Sequence, residues 1–317
     1  MASNISDRSR SGESGYPVGS LTRNSSSPRT LLSSIMTGVA IACGIISLVP
    51  LISVLTYVII QGFSSLKPSI FTQLPPIPSS LPTGQVGGFG NAIIGTITMV
   101  GLGTLFSVPI GVLAAIYLTE FSTDKFARWI RFATNVLSGI PSIIAGVFAY
   151  GVAVSSPWFG FLVTGKAQPL GYSAIAGGIA LAILMLPIII RTTDEALQLV
   201  PDDLRQAAVG IGATNFQTVM SVVVPTALPA IVTGVTLAIA RASGETAPLI
   251  FTALFSTFWS TNITQPTASL AVLVYNFATT PFKNQQSLAW AASLILVLMV
   301  LITSIIARLA TNRKTYS

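Results

Sequence analysis

Long apolar runs separated by short polar ones dominate the chain from residue 31 onward. Six of them hold the roughly 20 apolar residues that a helix needs to cross a bilayer. They are Leu31 to Ile60, Phe89 to Leu118, Trp129 to Val154, Gly171 to Ile190, Thr226 to Phe255 and Leu288 to Leu309. The pattern predicts an all-α integral membrane protein with six transmembrane helices. The first two runs exceed the minimum length and are expected to tilt or to emerge from the bilayer.

Between these runs the chain divides as follows. Residues 1–30 are Ser-rich without an apolar run, too polar for the core of a secretory signal, and read as a disordered tail. Residues 31–60 then form a retained first transmembrane helix, and 61–88 a Pro-rich external loop. Residues 89–310 form a five-helix core interrupted by a polar loop at 191–225, and 311–317 a second tail. Five prolines, Pro68, Pro75, Pro76, Pro78 and Pro82, favour an extended, semi-rigid path for the external loop, which serves either as a contact for an external partner or as a plain spacer. Trp158 and Trp259 fall in the later external loops, where aromatic belts lie.

The stretch from Arg191 to Pro225 holds Arg191, Asp194, Glu195, Asp202, Asp203 and Arg205. A segment this polar cannot lie in lipid, where each unpaired backbone group costs several kcal/mol. Pro201 suits a first helical turn, and Asp202 and Asp203 follow where a helix N-terminus favours negative charge. Gly210 and Gly212 then stop that helix. A second short helix is expected from Asn215 to Val224, ending at Pro225. Two short helices around a Gly-containing turn make a compact knob at the membrane surface.

Composition agrees with the pattern. The chain has 317 residues, of which 51% are hydrophobic and 8% charged, against roughly 25% charged in a soluble domain. The net charge of +7 does not point to nucleic acid, because the basic residues are scattered singly instead of gathered on one face. Their distribution reports topology. With both termini inside, the inner segments carry Arg8, Arg10, Arg23, Arg29, Lys125, Arg128, Arg131, Arg191, Arg205, Arg308, Arg313 and Lys314, and the outer loops carry Lys67, Lys166 and Lys283. That positive-inside bias puts both termini and the knob in the cytoplasm. There is no His and a single Cys43, which excludes histidine bases, histidine-held metals and an intrachain disulfide. No metal site is expected.

One basic and one acidic residue remain inside a span, Arg241 and Glu245. Four apart, they share a face of a continuous helix. With a span starting near Pro229, Arg241 sits about 18 Å along it, near the midplane. An isolated Arg there costs from about 3 to well over 10 kcal/mol, so the pair is expected to face the bundle interior or a hydrated path. Ser243 and Thr246 add hydroxyls. A guanidinium suits a tetrahedral oxyanion, with Glu245 preventing overly tight capture; a buried ion pair that only fixes helix packing is the other reading. Arg191 is a candidate for the inner exit, although topology alone accounts for it.

Motifs narrow the class. Gln206, Ala207 and Ala208, then Gly212, then Val222, Val224 and Pro225 are spaced like the cytoplasmic signature of type I ABC importer permeases, with Gln206 where that family has Glu. ARASGETAP at 240–248, LSGIPSIIAG at 137–146, GGFGNAIIGT at 87–96 and PIGVLAAIYLTEF at 109–121 resemble the Pst phosphate permeases, and most of all their PstA-type subunits. The resemblance covers roughly Gly87 to Leu309.

What it implies is a type I ABC importer transmembrane-domain fold in a bacterial inner membrane. The chain would be a permease that shares the path with a homologous PstC-type permease and takes phosphate from a PstS-type binding protein. Two PstB-type ATPases, which bind ATP and Mg, would dock on the knob at Gln206, Ala207, Ala208 and Gly212. It also implies a break in the third span at Gly139, Pro141 and Ser142, where Ser142 can re-satisfy freed backbone groups. The chain carries no ATP-binding Gly-rich loop and no cofactor of its own, and is not itself an enzyme. A permease for sulfate, molybdate or phosphonate is the first alternative. An ion-coupled secondary transporter is the second, although inverted halves are not evident.

Overall fold

Helix dominates the residues that the structure, a computed structural model, describes: 28–76 and 87–312, none of them in a strand. The tail assigned to residues 1–30 lies almost wholly outside the described residues, as do Pro78 and Pro82 of the external loop and the end of the second tail. Two compact units are distinguished, one up to Thr56 and one from Tyr57 onward. The first contains most of α1 (Pro28–Ser65), and every side chain from Leu31 to Thr56 is exposed. An apolar helix of this length is long enough to cross a bilayer.

The second unit contains the rest. After α1 come α2 (Gly90–Ile116), prolonged by a π-helical turn at Tyr117–Phe121, and then α3 (Asp124–Ser138). Next are α4 (Ser142–Ala149), α5 (Pro157–Thr164) and α6 (Ala174–Gln198). Then follow α7 (Asp202–Gly210), α8 (Asn215–Thr218) and α9 (Val224–Ser243). Last come α10 (Ala247–Thr252), α11 (Leu270–Ala278) and α12 (Lys283–Asn312). Among the described residues five helical stretches are long and apolar enough to cross a membrane, and α3 with the α4 segment adds a sixth when the bent pair is taken as one broken span.

The centre of the unit is the pair α2 and α6. Small residues set their spacing, as in membrane bundles generally. A Cβ on Gly178 would stand 2.7 Å from Leu102 Cβ, and one on Gly111 would stand 2.8 Å from Ile189 Cγ2. Met99, Leu181, Met185 and Ile189 fill this contact together with Ala238 and Ala242 of α9 and Leu249 of α10. A second cluster, of Ile116, Leu197, Val200, Val219, Val223 and Ile231, closes the end where the polar stretch lies.

Several boundaries depart from the apolar pattern. The first span does not stop at Ile60 but runs to Ser65, because Gly62 fits against Leu294 and Trp290 of α12. The following loop is not simply extended: Pro68–Phe71 is a short 3-10 helix, Ile70 is fully buried, and Gly88 N–H donates to Leu74 O at 3.0 Å. The third span is not straight; α3 and α4 meet at 102°. The expected helix stop at Pro225 is absent, and one continuous stretch runs from Asn215 to Ser243. Proline removes one N–H and crowds the carbonyl four residues back, and a π turn at Val219–Val223 loosens the ladder where Pro225 needs room. Finally, the third external loop hides α11, whose Leu270, Val272 and Leu273 are buried.

Candidate functional site

The polar stretch folds almost entirely as helix. α6 continues past Arg191 to Gln198, so half of the expected loop is an extension of a span. Pro201 caps α7, with Asp202 and Asp203 in its first turn. The chain then reverses at Gly212, whose φ of +95° is a conformation that favours glycine. Thr214 starts the next helix through a reciprocal capping box with Gln217: each accepts the other's backbone N–H, at 3.3 and 2.9 Å.

Two arginines fix this knob to the bundle. Arg205 donates to Glu120 Oε1 at 2.9 Å, to Asp202 Oδ1 at 3.1 Å, and to the carbonyls of Val200 and Leu197 at 2.6 and 2.9 Å. Leu197 lies in the last turn of α6 and Val200 in the link to α7, so one guanidinium joins the end of α2, α6 and α7. Arg131 of α3 grips Asp194 of α6 with two bonds, at 2.9 and 2.8 Å. Thr119 and Gln198 donate to the same carboxylate at 2.8 and 2.9 Å. Thr119 and Glu120 are neighbours at the end of α2, so the two anchors share a base.

The outer face of the knob is apolar in a polar surround. Ile211 is 90% exposed and Leu199 81%, and Val209 and Phe216 are exposed beside them. Gln206, Ala207 and Gly212 are exposed as well, whereas Ala208 is buried and faces the protein's own interior. Ala208 therefore contributes packing and not outer surface.

The Arg241 and Glu245 pair sits differently from its expected place on a continuous helix. α9 ends at Ser243, so Arg241 lies in its last turn and Glu245 in the break before α10. The helical stretch that contains Arg241 begins at Asn215, well before Pro229. The two side chains still meet, with Nε to Oε1 at 3.6 Å; Arg241 is 57% exposed and Glu245 16%. Arg241 ends an exposed stripe along α9 that contains Thr226, Ala230, Thr233 and Leu237. Ser243 is buried and its hydroxyl donates to Ile239 O at 2.8 Å, which occupies its proton. Thr246 is half-buried and opens α10 without a side-chain cap.

Arg191 is not grouped with that pair. Thr192 packs on Gly234 of α9, about two helical turns from Arg241. Arg191 pairs with Glu195 at 2.9 Å and lines a cavity of about 430 Å³ with Arg131, Asn135, Asp194 and Gln198. The break in the third span falls at Gly139 and Pro141, and Ser142 opens α4 with a hydroxyl that makes no hydrogen bond among the described residues. Gly146 then brings α4 onto α10: a Cβ there would lie 2.7 Å from Pro248 Cα. Both broken spans therefore touch each other.

Comparison with known proteins is consistent with this architecture. Residues 107–316 match the binding-protein-dependent transport system inner membrane component family. The phosphate transport system permease protein PstA of Haemophilus influenzae is 41% identical over 281 residues, covering 88% of this chain and 94% of that protein. PstA 1 of Mycobacterium tuberculosis is 32% identical over 90% of this chain and 91% of its own length. The chain belongs to this family of transport permeases. Among solved structures, a chain of a bacterial alginate ABC transporter aligns over 91% of this permease with a TM-score of 0.64 at 14% identity, covering 98% of that chain. An inward-facing MetNI methionine transporter chain aligns over 70%, and over 92% of itself, with a TM-score of 0.50. The permease thus has a type I ABC importer transmembrane fold.

Four anchoring residues of the permease escaped the sequence reading in that role. In the sequence Arg131 is a topology signal, Arg205 and Asp194 are charges of the polar stretch, and Glu120 has no local signal of an anchoring role. Their partners stand 63 and 85 residues apart in the chain, and no local spacing signals such pairs. The capping box was legible, since Thr214 and Gln217 have the required spacing.

Proposed function

We infer that this multi-pass membrane protein is the permease subunit of an ATP-driven phosphate importer. The carrying observation is the knob: an apolar outer face on a polar element, held by half-buried arginine anchors, in a chain 41% identical to a phosphate transport system permease. Lipid does not explain that face, because Asp202, Asp203 and Gln206 are exposed on the same short helix as Val209. A docking ATPase does. Leu199, Val209, Ile211 and Phe216 would supply the apolar contact, with Gln206, Ala207 and Gly212 leaving room for close approach.

ATP and its Mg would be handled by two PstB-type partners, and phosphate would be delivered by a PstS-type protein on the opposite side. A PstC-type permease would cover the exposed stripe of α9, so that Arg241, steadied by Glu245, faces a path shared by the two permeases. The excess of Lys and Arg in the segments on the knob side supports a cytoplasmic knob and cytoplasmic termini in a bacterial inner membrane. Closure of the ATPases would move the knob, and Arg205 and Asp194 would pass that movement to α2, α3 and α6.

The test is uptake of labelled phosphate, with labelled sulfate as comparison, into proteoliposomes that hold this chain with its neighbouring permease and ATPase. ATP-dependent phosphate uptake that disappears without the binding protein is the expected result. ATP-dependent uptake of sulfate alone overturns the substrate, and uptake without ATP overturns the mechanism.

A further inference from the structure

Helix α3 has two faces with different fates. Ala127, Arg131 and Thr134, at helical spacing, turn inward, and Arg131 is fixed by Asp194. Lys125, Arg128, Trp129, Phe132 and Val136 turn outward. At 15 residues, α3 is about 22 Å long, short of the roughly 30 Å hydrocarbon core. It carries Asp124, Lys125, Arg128 and Arg131, and it stands at 102° to the apolar helix that follows. A short, charged, two-faced helix with this bend suits the headgroup region, with the apolar helix after it continuing the span into the hydrocarbon.

On the outward face Lys125, Arg128, Trp129 and Phe132 line an open groove of about 410 Å³. Neither cation has an ion-pair partner among the described residues; Arg128 Nε donates only to Asp124 O at 3.2 Å, and Lys125 is exposed. Trp129 is 71% exposed, and it meets Phe132 edge-on at 6.2 Å. The groove therefore offers two free cations at its rim and two aromatic rings along its wall. A headgroup phosphodiester with acyl chains below it matches both parts. A soluble anion would leave the rings in water, and a neutral lipid would leave the cations unanswered.

We propose that this groove binds an anionic phospholipid, with Lys125 and Arg128 on the phosphate and Trp129 and Phe132 against the glycerol and upper acyl chains. The inference rests on the reading of the chain as a membrane permease, but its test does not require transport. Binding there would hold the outer face of α3 while Arg131 holds the inner one, so the lipid would brace the element that supports Asp194.

The complex of this chain with its partner permease and ATPases is placed in phosphatidylcholine nanodiscs containing brominated phosphatidylcholine or brominated phosphatidylglycerol at equal mole fraction. Quenching of Trp129 is read as the difference between the native protein and Trp129→Phe. Two surface cations give a preference of roughly thirtyfold for the anionic lipid, so brominated phosphatidylglycerol is expected to quench far more strongly. Lys125→Gln with Arg128→Gln should bring the two lipids to parity, with quenching by brominated phosphatidylcholine retained as the sign of an intact helix. Equal quenching by both lipids in the native protein overturns the proposal. So does absence of quenching by either, which would mean that protein covers the face. Loss of the preference on adding inorganic phosphate alone, at constant ionic strength, would assign the groove to free phosphate and overturn it as well. Phosphate uptake by the same complex reconstituted in proteoliposomes separates these failures from a failure of the permease reading.

Discussion

Replacing Arg205 with Ala should loosen the knob without unfolding the bundle. The side chain is 21% exposed and Glu120, its partner on α2, 9%. Removing one member of such a buried pair leaves the other charge unanswered, at a cost of about 3 kcal/mol or more. The contact with Asp202 adds little, because that carboxylate is 84% exposed. The Val200 and Leu197 carbonyls lose their donor too, each worth about 1 kcal/mol, although water can reach part of the vacated space. Taking 3 kcal/mol as the working value, amide exchange in 202–216 should speed up by about a hundredfold, at 1.4 kcal/mol per factor of ten. Hydrogen exchange with mass spectrometry on the detergent-solubilised protein reads this directly. The central helices, packed on Met99, Leu181 and Met185, should keep their protection. Adding Glu120→Gln removes the stranded charge, so the double variant should recover a substantial part of the loss. Unchanged exchange in the knob, or a double variant as loose as the single one, would refute the assignment of Arg205 as the anchor.

Other consequences follow from the same geometry. Asp194→Asn keeps an acceptor for Thr119 but sets an amide against the Arg131 fork; because Arg131 is 37% exposed, the cost is reduced by solvent to about 2 kcal/mol, seen as a lower melting temperature of the complex. Gly212→Ala meets no atom within 4 Å, so its penalty is purely that of the left-handed backbone, about 1 kcal/mol, and it should weaken ATPase binding in a pull-down without lowering expression. Arg241→Gln should abolish phosphate uptake while the complex assembles and hydrolyses ATP; normal uptake would reduce the pair to helix packing. Gly178→Val should prevent folding, since Leu102 Cβ would lie 2.7 Å from the new atom, and a stable, active variant would contradict the close packing of α2 and α6.

The spans were legible because lipid imposes one simple demand, a run of apolar residues long enough to cross it. That demand fixes how many crossings there are but not where a helix bends or stops. In the third run hydropathy alone shows no bend; the Gly139, Pro141 and Ser142 motif marks the break, and the chain turns there by 102°. At Pro225, by contrast, a proline suggested an end that is absent, because a π turn at Val219–Val223 absorbed it. Helix α11 was invisible for another reason: nine residues are too few to register as a span, and only their burial against α2 and α12 marks them as core. In the knob, Pro201, Gly210, Gly212 and the Asp pair announced their local conformations. Which of its residues face outward was not announced, and Ala208 turned inward while Ile211 turned out.

The anchors show why a coupling element needs long-range charge pairs and not only apolar packing. Val200, Val219 and Val223 pack the knob onto α6 and α2, but apolar contacts are non-directional and tolerate sliding. A guanidinium with four acceptors does not, because its donors lie in a rigid fork. Arg205 therefore fixes the orientation of α7 relative to α2, and Asp194, with Arg131 and Thr119, does the same for α3 and α6. Since Thr119 and Glu120 are adjacent, a displacement of the knob must either carry the end of α2 with it or break a buried pair. Breaking it costs several kcal/mol; tilting α2 shifts its glycine contacts with α6. If ATPases dock on the knob as proposed, the buried pair gives their push a rigid route to the end of α2, and Arg205→Ala should then lower phosphate uptake more than ATP hydrolysis.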